Sequence, residues 1–279
     1  MDPVEGSAAL RSRLHPMPQD IVSSAKNPLL ADVRRAVRRG ERTTSGACVA
    51  EGFNLLEEAI RSECRIEAVL AAASVRTTVE GHVRGLKKVR VIVLGDSPFQ
   101  AVSATESTQG VITLVHPPEW NLDSLFRARP LVVVLDGIQD PGNAGTILRA
   151  AEAFGATGAL FVKGSVSPYN PKALRASAGS VFRLPILTGV DPDLARAALE
   201  QKRVDVYSAV PRGGKSLIEL DLTRGIALVV GSEARGVSTR LRSAALDVRI
   251  PTAGVESLNA AMAAGIILYE ASRQRILRK

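Results

Sequence analysis

The sequence predicts an α/β protein with a parallel sheet, preceded by a smaller α/β unit, and three observations carry that prediction. First, apolar runs rich in β-branched residues, such as Leu131 to Leu135 and Ile226 to Val230, alternate with helical patterns through the second half. Strands buried on both faces read this way, and intervening helices imply crossovers and parallel pairing. Second, a stretch with three prolines, from His116-Pro-Pro through Arg129-Pro130, interrupts the periodicity as a linker does. Third, the segment before it shows its own strand and helix alternation in under a hundred residues. With 279 residues, 46% apolar and 23% charged, the chain can bury a substantial core and lies far from disordered compositions.

In chain order, Asn27-Pro28 starts a helix whose bases Arg34, Arg35, Arg38, Arg39 and Arg42 recur at three to four residues, along one side. A strand at Ala47 to Ala50, a helix from Gly52 to Arg61 and the apolar run Ile66 to Ala72 follow. Next come a polar helix, a strand at Val89 to Leu94, a helix capped by Asp96-Ser97-Pro98, and a strand at Val111 to Val115. Beyond the linker, Leu131 to Leu135 leads through a Gly/Pro loop into an amphipathic helix from Asn143 to Phe154. Strand signals recur at Gly158 to Val162, Phe182 to Leu187, Val204 to Ala209 and Ile226 to Val230. A last strand, Val248 to Ile250, precedes a long helix from about Leu258 to Arg275.

Composition narrows the function. Cys48 and Cys64 are too few for a disulfide framework, and His15, His82 and His116 lack zinc-ligand spacing, so no metal is expected. The start Met-Asp-Pro-Val-Glu has no signal pattern and no apolar run approaches twenty residues, so no membrane partner and a cytoplasmic location are expected. Of 36 basic residues 28 are Arg and 8 Lys, against 28 acids. Arginine's planar fork suits phosphates and stacks on bases, which points to a nucleic acid; a GC-rich genome would raise arginine equally well. Residues 1–120 carry 15 bases and 14 acids, the remainder 21 and 14, so the basic excess lies in the second part.

Ligands of parallel sheets bind at the carboxyl ends of strands, and three such loops are rich in glycine and polar residues. They are Asp136-Gly-Ile-Gln-Asp-Pro-Gly-Asn143-Ala-Gly145-Thr-Ile-Leu-Arg149, Gly231-Ser-Glu233-Ala-Arg-Gly236-Val-Ser238 and Pro251-Thr-Ala-Gly-Val-Glu-Ser257-Leu-Asn259. The first spaces its glycines as G-x4-G-x2-G, which is not the dinucleotide fingerprint. Ala209-Val-Pro-Arg-Gly-Gly214-Lys215-Ser216 approaches a phosphate loop, but it lacks the first glycine and Pro211 removes a backbone donor.

These three segments, in this order, resemble the motifs of the SpoU/TrmH family, S-adenosylmethionine-dependent RNA ribose 2'-O-methyltransferases of the SPOUT superfamily. The resemblance covers about residues 131–279, and Glu51-Gly52 with Gln109-Gly110 resemble the family's ribosomal-protein-like substrate-binding domain. It implies a tail at 1–18, an RNA substrate-binding domain at 19–115, a linker at 116–130 and a SPOUT methyltransferase domain at 131–279. It also implies a SPOUT-type parallel sheet with a C-terminal trefoil knot, and a homodimer whose sites are completed by both subunits. S-adenosylmethionine would meet Ala209, Gly231, Ile250, Pro251 and Leu258; Gly254 to Ser257 is one residue tighter than the family pattern. The extra amino-terminal unit favours ribosomal RNA over transfer RNA.

The resemblance marks Arg149 as catalytic. Because arginine stays protonated, general-base action and stabilisation of phosphate or oxyanion charge both remain open. Asn143 would fix the ribose or Arg149, Glu233 would orient the first motif, and Ser257 and Asn259 would bridge substrate and helix start. Alone, Asn143 and Ser257 could be helix caps, Arg149 a solvated residue, and Gly231 and Gly236 mere strand terminators. Arg34, Arg35, Arg38, Arg39 and, beside the site, Arg175 are candidate RNA contacts, although a charged helix face needs no partner. A non-catalytic RNA-binding protein that retains the fold is the competing reading.

Overall fold

The computed structural model describes residues 19–21, 27–86 and 89–277, so the expected tail at 1–18 lies outside the described residues. Two sheets organise the chain. The first collects β1 (Gln19–Ile21), β2 (Cys48–Glu51), β3 (Arg65–Ala72), β4 (Arg90–Leu94) and β5 (Val111–His116) in the order β1-β4-β3-β5-β2. It is mixed: β4 runs parallel to β1 and β3, while β5 runs antiparallel to β3 and β2.

Helices α1 (Pro28–Arg39), α2 (Phe53–Arg61), α3 (Arg76–His82) and α4 (Asp96–Gln100) connect these strands. Asn27 caps α1 by accepting from the Leu29 N–H at 2.9 Å, and Gly40 ends it in the left-handed conformation. The cap of α4 is Gly95, one residue before the expected Asp96. Helix α1 buries Leu30, Val33 and Ala36, so the arginines occupy what remains of its circumference. Of these arginines only Arg38 and Arg39 are exposed, and Arg42 falls beyond the helix end.

The expected linker is not featureless: Asn121 and Ser124 form a reciprocal capping box around a short helix, α5 (Leu122–Leu125). Leu125 is fully buried and fills the space left by Gly158, where a Cβ would stand 3.0 Å from the Leu125 Cβ.

The second sheet is parallel throughout. It contains β6 (Leu131–Asp136), β7 (Gly158–Val162), β8 (Ile186–Val190), β9 (Asp205–Ala209), β10 (Lys215–Ser216), β11 (Ile226–Gly231) and β12 (Leu246–Arg249), ordered β10-β12-β9-β11-β6-β7-β8. The central β6 and β11 are buried along almost their whole length, as their unbroken apolar runs require. The expected strand at Phe182 to Leu187 is instead a 3-10 turn, Ser180–Phe182, followed by β8 four residues later than expected. Pro185 lacks an N–H for a ladder, which moves the strand start past it.

Helices α6 (Pro141–Ala153), α7 (Pro171–Ser177), α8 (Pro192–Gln201), α9 (Thr239–Arg242) and α10 (Ala260–Ile276) complete this unit. Helix α10 packs on α6, with Phe154 and Tyr269 edge to face at 5.6 Å. No helix among the described residues is long and apolar enough to cross a membrane.

The two units are locked together. The Arg42 guanidinium lies 3.9 Å from the centre of the Tyr169 ring, an interaction worth about 0.5–2 kcal/mol. Arg183 donates to Glu58 of α2 at 2.5 Å and Ser62 at 3.1 Å, and to Glu152 of α6 at 2.5 and 3.0 Å. At Gly179, with φ +86°, a Cβ would stand 2.6 Å from that of Glu58, so a side chain there would push the units apart.

Candidate active site

Helix α6 begins two residues before the expected Asn143. Asp140 accepts from the Asn143 N–H at 2.8 Å, and Pro141 occupies the first helical position. Hydrogen bonding from Lys172 first, then from that N–H, holds the Asp140 carboxyl below the usual carboxylate range. The capping explanation of Asn143 is thereby removed, because the cap is already supplied. Its amide is free to face outward, where it donates to the Glu233 carboxylate and accepts from Asn259 Nδ2 at 3.1 Å.

Asn259 has two tasks. Its Oδ1 caps α10, accepting from the N–H groups of Ala261 at 2.9 Å and Met262 at 3.3 Å, while its Nδ2 reaches Asn143. The cap of α10 is therefore Asn259 and not Ser257, which is exposed. Three loops that lie more than a hundred residues apart at their extremes thus meet through one chain, Glu233 to Asn143 to Asn259.

The glycine loop after β11 is a tight turn, not a helix start. A Cβ at 231 would overlap the Gly236 carbonyl and the Val237 N–H, so only glycine fits there. Gly236, at φ +66°, donates back to the Ser232 carbonyl at 2.8 Å. The buried Asp136, at the end of β6, accepts from the Ser238 N–H at 2.6 Å and fastens the turn to the sheet. The Ala209 to Ser216 stretch enters β10 rather than a helix, so it lacks the helix N-terminus that a phosphate loop needs.

A cleft of about 450 Å³ opens between these loops, within the range of small-ligand sites. Ala209, Gly231, Glu233, Ile250, Ser257 and Leu258 line it. Pro251 does not; it is exposed between two lining residues, Ile250 and Thr252. The walls combine backbone and small side chains with charged ones, among them Arg212, Arg235, Arg242 and Glu256, which sequence reasoning did not single out. Arg212 and Glu256 pair at 2.5 Å, one from each flanking loop, and both line the cleft. Both lie inside segments that the sequence singles out, but nothing local marks the pairing, because its partners are 44 residues apart. Such a cleft can hold a largely apolar ligand by backbone contacts and meet its charged end with this pair.

Arg149 is not brought into this cluster. It lies six residues beyond Asn143, about 9 Å along α6 and about 120° around it. It is exposed, makes no ion pair or hydrogen bond among the described residues, and does not line the cleft. Of the amino-terminal arginines, Arg35 is held by Asp32 at 2.7 Å and Glu41 at 3.3 Å, and Arg34 is half-buried. Arg38, Arg39 and Arg175 are exposed. Burial pushes the Cys48 thiol up to about 12 and the Cys64 thiol to about 11, so neither supplies a thiolate nucleophile at neutral pH.

Residues 130–269 match the model of the SpoU rRNA Methylase family, and residues 27–113 that of the MRM3-like substrate binding domain. The chain belongs to the SpoU family. It is 32% identical over 250 residues to the Bacillus subtilis 23S rRNA (guanosine(2553)-2'-O)-methyltransferase RlmP, covering 89% of this chain and 97% of the relative. The fold is similar to the SpoU methyltransferase AviRb from Streptomyces viridochromogenes, solved in complex with AdoMet. That match has TM-score 0.81 and 28% identity, and covers 90% of this chain and 99% of AviRb. An AdoMet-bound rRNA methyltransferase from Sinorhizobium meliloti matches at TM-score 0.79 and 28% identity, over 91% and 98% of the two chains. The Asn143 amide held from both sides, the tight Gly231 turn and the Asn259 cap bring the three loops of this SpoU chain together.

Proposed function

We propose that this SpoU family member transfers a methyl group from S-adenosylmethionine to a ribose 2'-hydroxyl of ribosomal RNA. The observation that carries the reading is the convergence of Glu233, Asn143 and Asn259 beside a cleft lined by Ala209, Gly231, Ile250 and Leu258. Relatives named as 23S rRNA methyltransferases and neighbours solved with AdoMet support it. When bound, the cofactor supplies an electrophilic methyl on a sulfonium. The residues named would hold it by backbone contacts, with Arg212 suited to its carboxylate and Glu256 to its ammonium.

The protein's own work is to present the sugar oxygen in line and to assist loss of its proton, the two levers of proximity and proton transfer. In the product the 2'-oxygen carries the methyl in place of its proton. The Asn143 amide, oriented from both sides, holds the ribose, and Ser257 at the cleft edge contacts the substrate. Arg149 stabilises phosphate or oxyanion charge more readily than it acts as a base, because a guanidinium holds its proton tightly and offers a planar fork of donors.

Arg149 lies off its own cleft, on the helix packed against α10, whose surface leaves Met262, Tyr269 and Ile276 between 54 and 65% exposed. That stripe suits a homodimer in which Arg149 serves the partner subunit's cleft. The C-terminal trefoil knot fits the strand order, in which β12 inserts between β9 and β10 instead of adding at an edge. Arg38 and Arg39 on α1, and Arg175 on α7, would contact RNA phosphates. Domains at 19–115 and 131–279, joined by 116–130, and a cytoplasmic location accord with this role.

The test is calorimetry with S-adenosylmethionine, together with transfer of labelled methyl to 23S rRNA and mapping of 2'-O-methyl positions in cells with and without the gene. Arg149→Ala should lower turnover a hundredfold or more, about 3 kcal/mol, with cofactor affinity unchanged. Mixing Arg149→Ala with Asn143→Ala protein should restore part of the activity. Full turnover by Arg149→Ala would remove that residue from the mechanism.

A further inference from the structure

A second cavity of about 410 Å³ lies on the seam between the two units, away from the cleft. One wall is the start of α2 and the loop before β5, including Asn54, Ser107 and Gln109; the other is Arg175 and Ala178 at the end of α7. We propose that this cavity receives one unpaired nucleotide of the RNA, its phosphate on Arg175 and its base edge against the amides of Asn54 and Gln109. The inference rests on the RNA reading above and identifies where that RNA is gripped.

The electrostatics select the ligand. Two carboxylates, Glu51 and Glu58, stand in the wall, and both oxygens of each already accept hydrogen bonds from the protein. Glu51 accepts from Ser103 Oγ at 2.5 Å, the Ala104 N–H at 2.7 Å and Thr105 Oγ1 at 2.6 Å. Glu58 takes Arg61 at 2.8 Å on one oxygen and Arg183 at 2.5 Å on the other. The Arg175 guanidinium has no hydrogen-bond or ion-pair partner among the described residues and is exposed, so it is the one charged group of the wall whose polar atoms remain uncommitted. An anionic group meets a free guanidinium fork there, whereas a cation meets only carboxylates that are already engaged.

The remaining lining selects among anions. Gln109 uses its Oε1 to accept from the Phe53 N–H at 3.0 Å, which leaves its amide N–H groups free. Asn54 and Ser107 are exposed and keep their polar atoms for a ligand. Amides with free donors and acceptors read base edges, while a concavity of this size admits a single splayed nucleotide and not a helix. The Arg183 network and the close approach of Gly179 to Glu58 fix both walls, so the cavity is pre-formed. Helix α7 then joins it to catalytic α6, where a Cβ at Gly145 would stand 2.7 Å from that of Ala176.

The experiment fills the cavity without changing its charge. Ser107→Trp, in the full chain, is compared with Arg175→Glu and Arg175→Lys by filter binding of 23S rRNA transcribed in vitro, with thermal melts to verify folding. Ser107→Trp and Arg175→Glu should each weaken RNA binding at least tenfold, and Arg175→Lys should recover most of the loss, since a point charge still meets a phosphate. Undiminished RNA binding by folded Ser107→Trp overturns the proposal. Binding of a labelled hexaglutamate peptide that Ser107→Trp abolishes, with RNA binding unaffected, overturns it in favour of a protein partner. Filter binding needs no cofactor, so failure of the methyltransferase reading would appear separately, as absent S-adenosylmethionine binding in calorimetry.

Discussion

Replacing Gly145 by alanine adds one methyl group where helices α6 and α7 cross most closely. The new Cβ would stand 2.7 Å from the Ala176 Cβ and 3.0 Å from the Ser177 nitrogen, and it would overlap the Ala173 carbonyl oxygen. Carbon atoms settle at about 3.5–4.0 Å, so α6 must retreat by roughly 1 Å. Overpacking of this kind costs about 1–3 kcal/mol, from which about 0.5–1 is regained because alanine favours a helix over glycine. The net loss is then at most about 2.5 kcal/mol. Catalysis should suffer more, because Asn143 and Arg149 ride on α6, and a misplacement of about 1 Å can cost 10²-fold. Gly265→Ala is the matched control: in helix α10 its Cβ would meet the Ala150 Cβ at 3.9 Å, an ordinary separation. That variant should gain about 0.5–1 kcal/mol from helix propensity. Urea unfolding followed by circular dichroism and single-turnover methyl transfer would measure both. If Gly145→Ala matches the wild type in stability and turnover, or Gly265→Ala loses as much as Gly145→Ala, the close approach of α7 is not what positions α6.

Asn259→Ser keeps an oxygen to cap α10 but loses the amide that reaches Asn143; it should melt near the wild type while turnover falls, whereas Asn259→Ala should also lose about 1 kcal/mol in a thermal melt. Arg183→Leu leaves Glu58 and Glu152 half-buried with a partner removed, and should cost about 2–3 kcal/mol by urea titration. The same variant tests pH dependence. Burial raises the Glu152 carboxyl, but hydrogen bonds from Arg183 and Ser180 and the Arg183 charge together outweigh it and hold the group below its usual range. A depressed folded pKa stabilises fully above the unfolded value of about 4.3 and is lost as pH falls through the folded one, so acid destabilisation of the wild type should be shallower in Arg183→Leu. Reversal of Arg38 and Arg39 to Glu should reduce the salt dependence of rRNA binding measured by filter retention, by about one unit of slope for each phosphate no longer held.

The strands were legible because their burial is written locally: β6 and β11 are continuous apolar runs rich in β-branched residues, which suit a strand buried on both faces. The loops of the site were legible for a related reason, since Gly231, Asn143 and Asn259 each satisfy a steric or hydrogen-bonding demand that few residues meet. Asp140-Pro141 carried an equally plain helix-start signal that the polar side chain of Asn143 obscured. What could not be read is long-range pairing. Arg42 and Arg183 look like any surface arginine, yet one stacks on Tyr169 and the other binds two carboxylates across the seam. Arg212 with Glu256 is the same case at the cleft. The position of Arg149 away from its own cleft likewise depends on helix phase, which spacing shows only when the helix's buried side is known.

The placement of β12 inside the sheet constrains how the protein is made. Strands β9 and β10 cannot close on each other, because the partner that lies between them is synthesised after both. The last turns of α10 then seal the opposite end: Arg275 donates to the carbonyls of Pro130 at 2.9 Å and Leu222 at 3.1 Å, and Gln274 to that of Leu220 at 2.9 Å. A nascent chain that has not yet extended past β12 and α10 therefore carries a gapped sheet and an open cleft. Assembly waits for β12 and α10 to be made, and fragments that end before the final helix should accumulate as aggregation-prone species rather than as smaller enzymes.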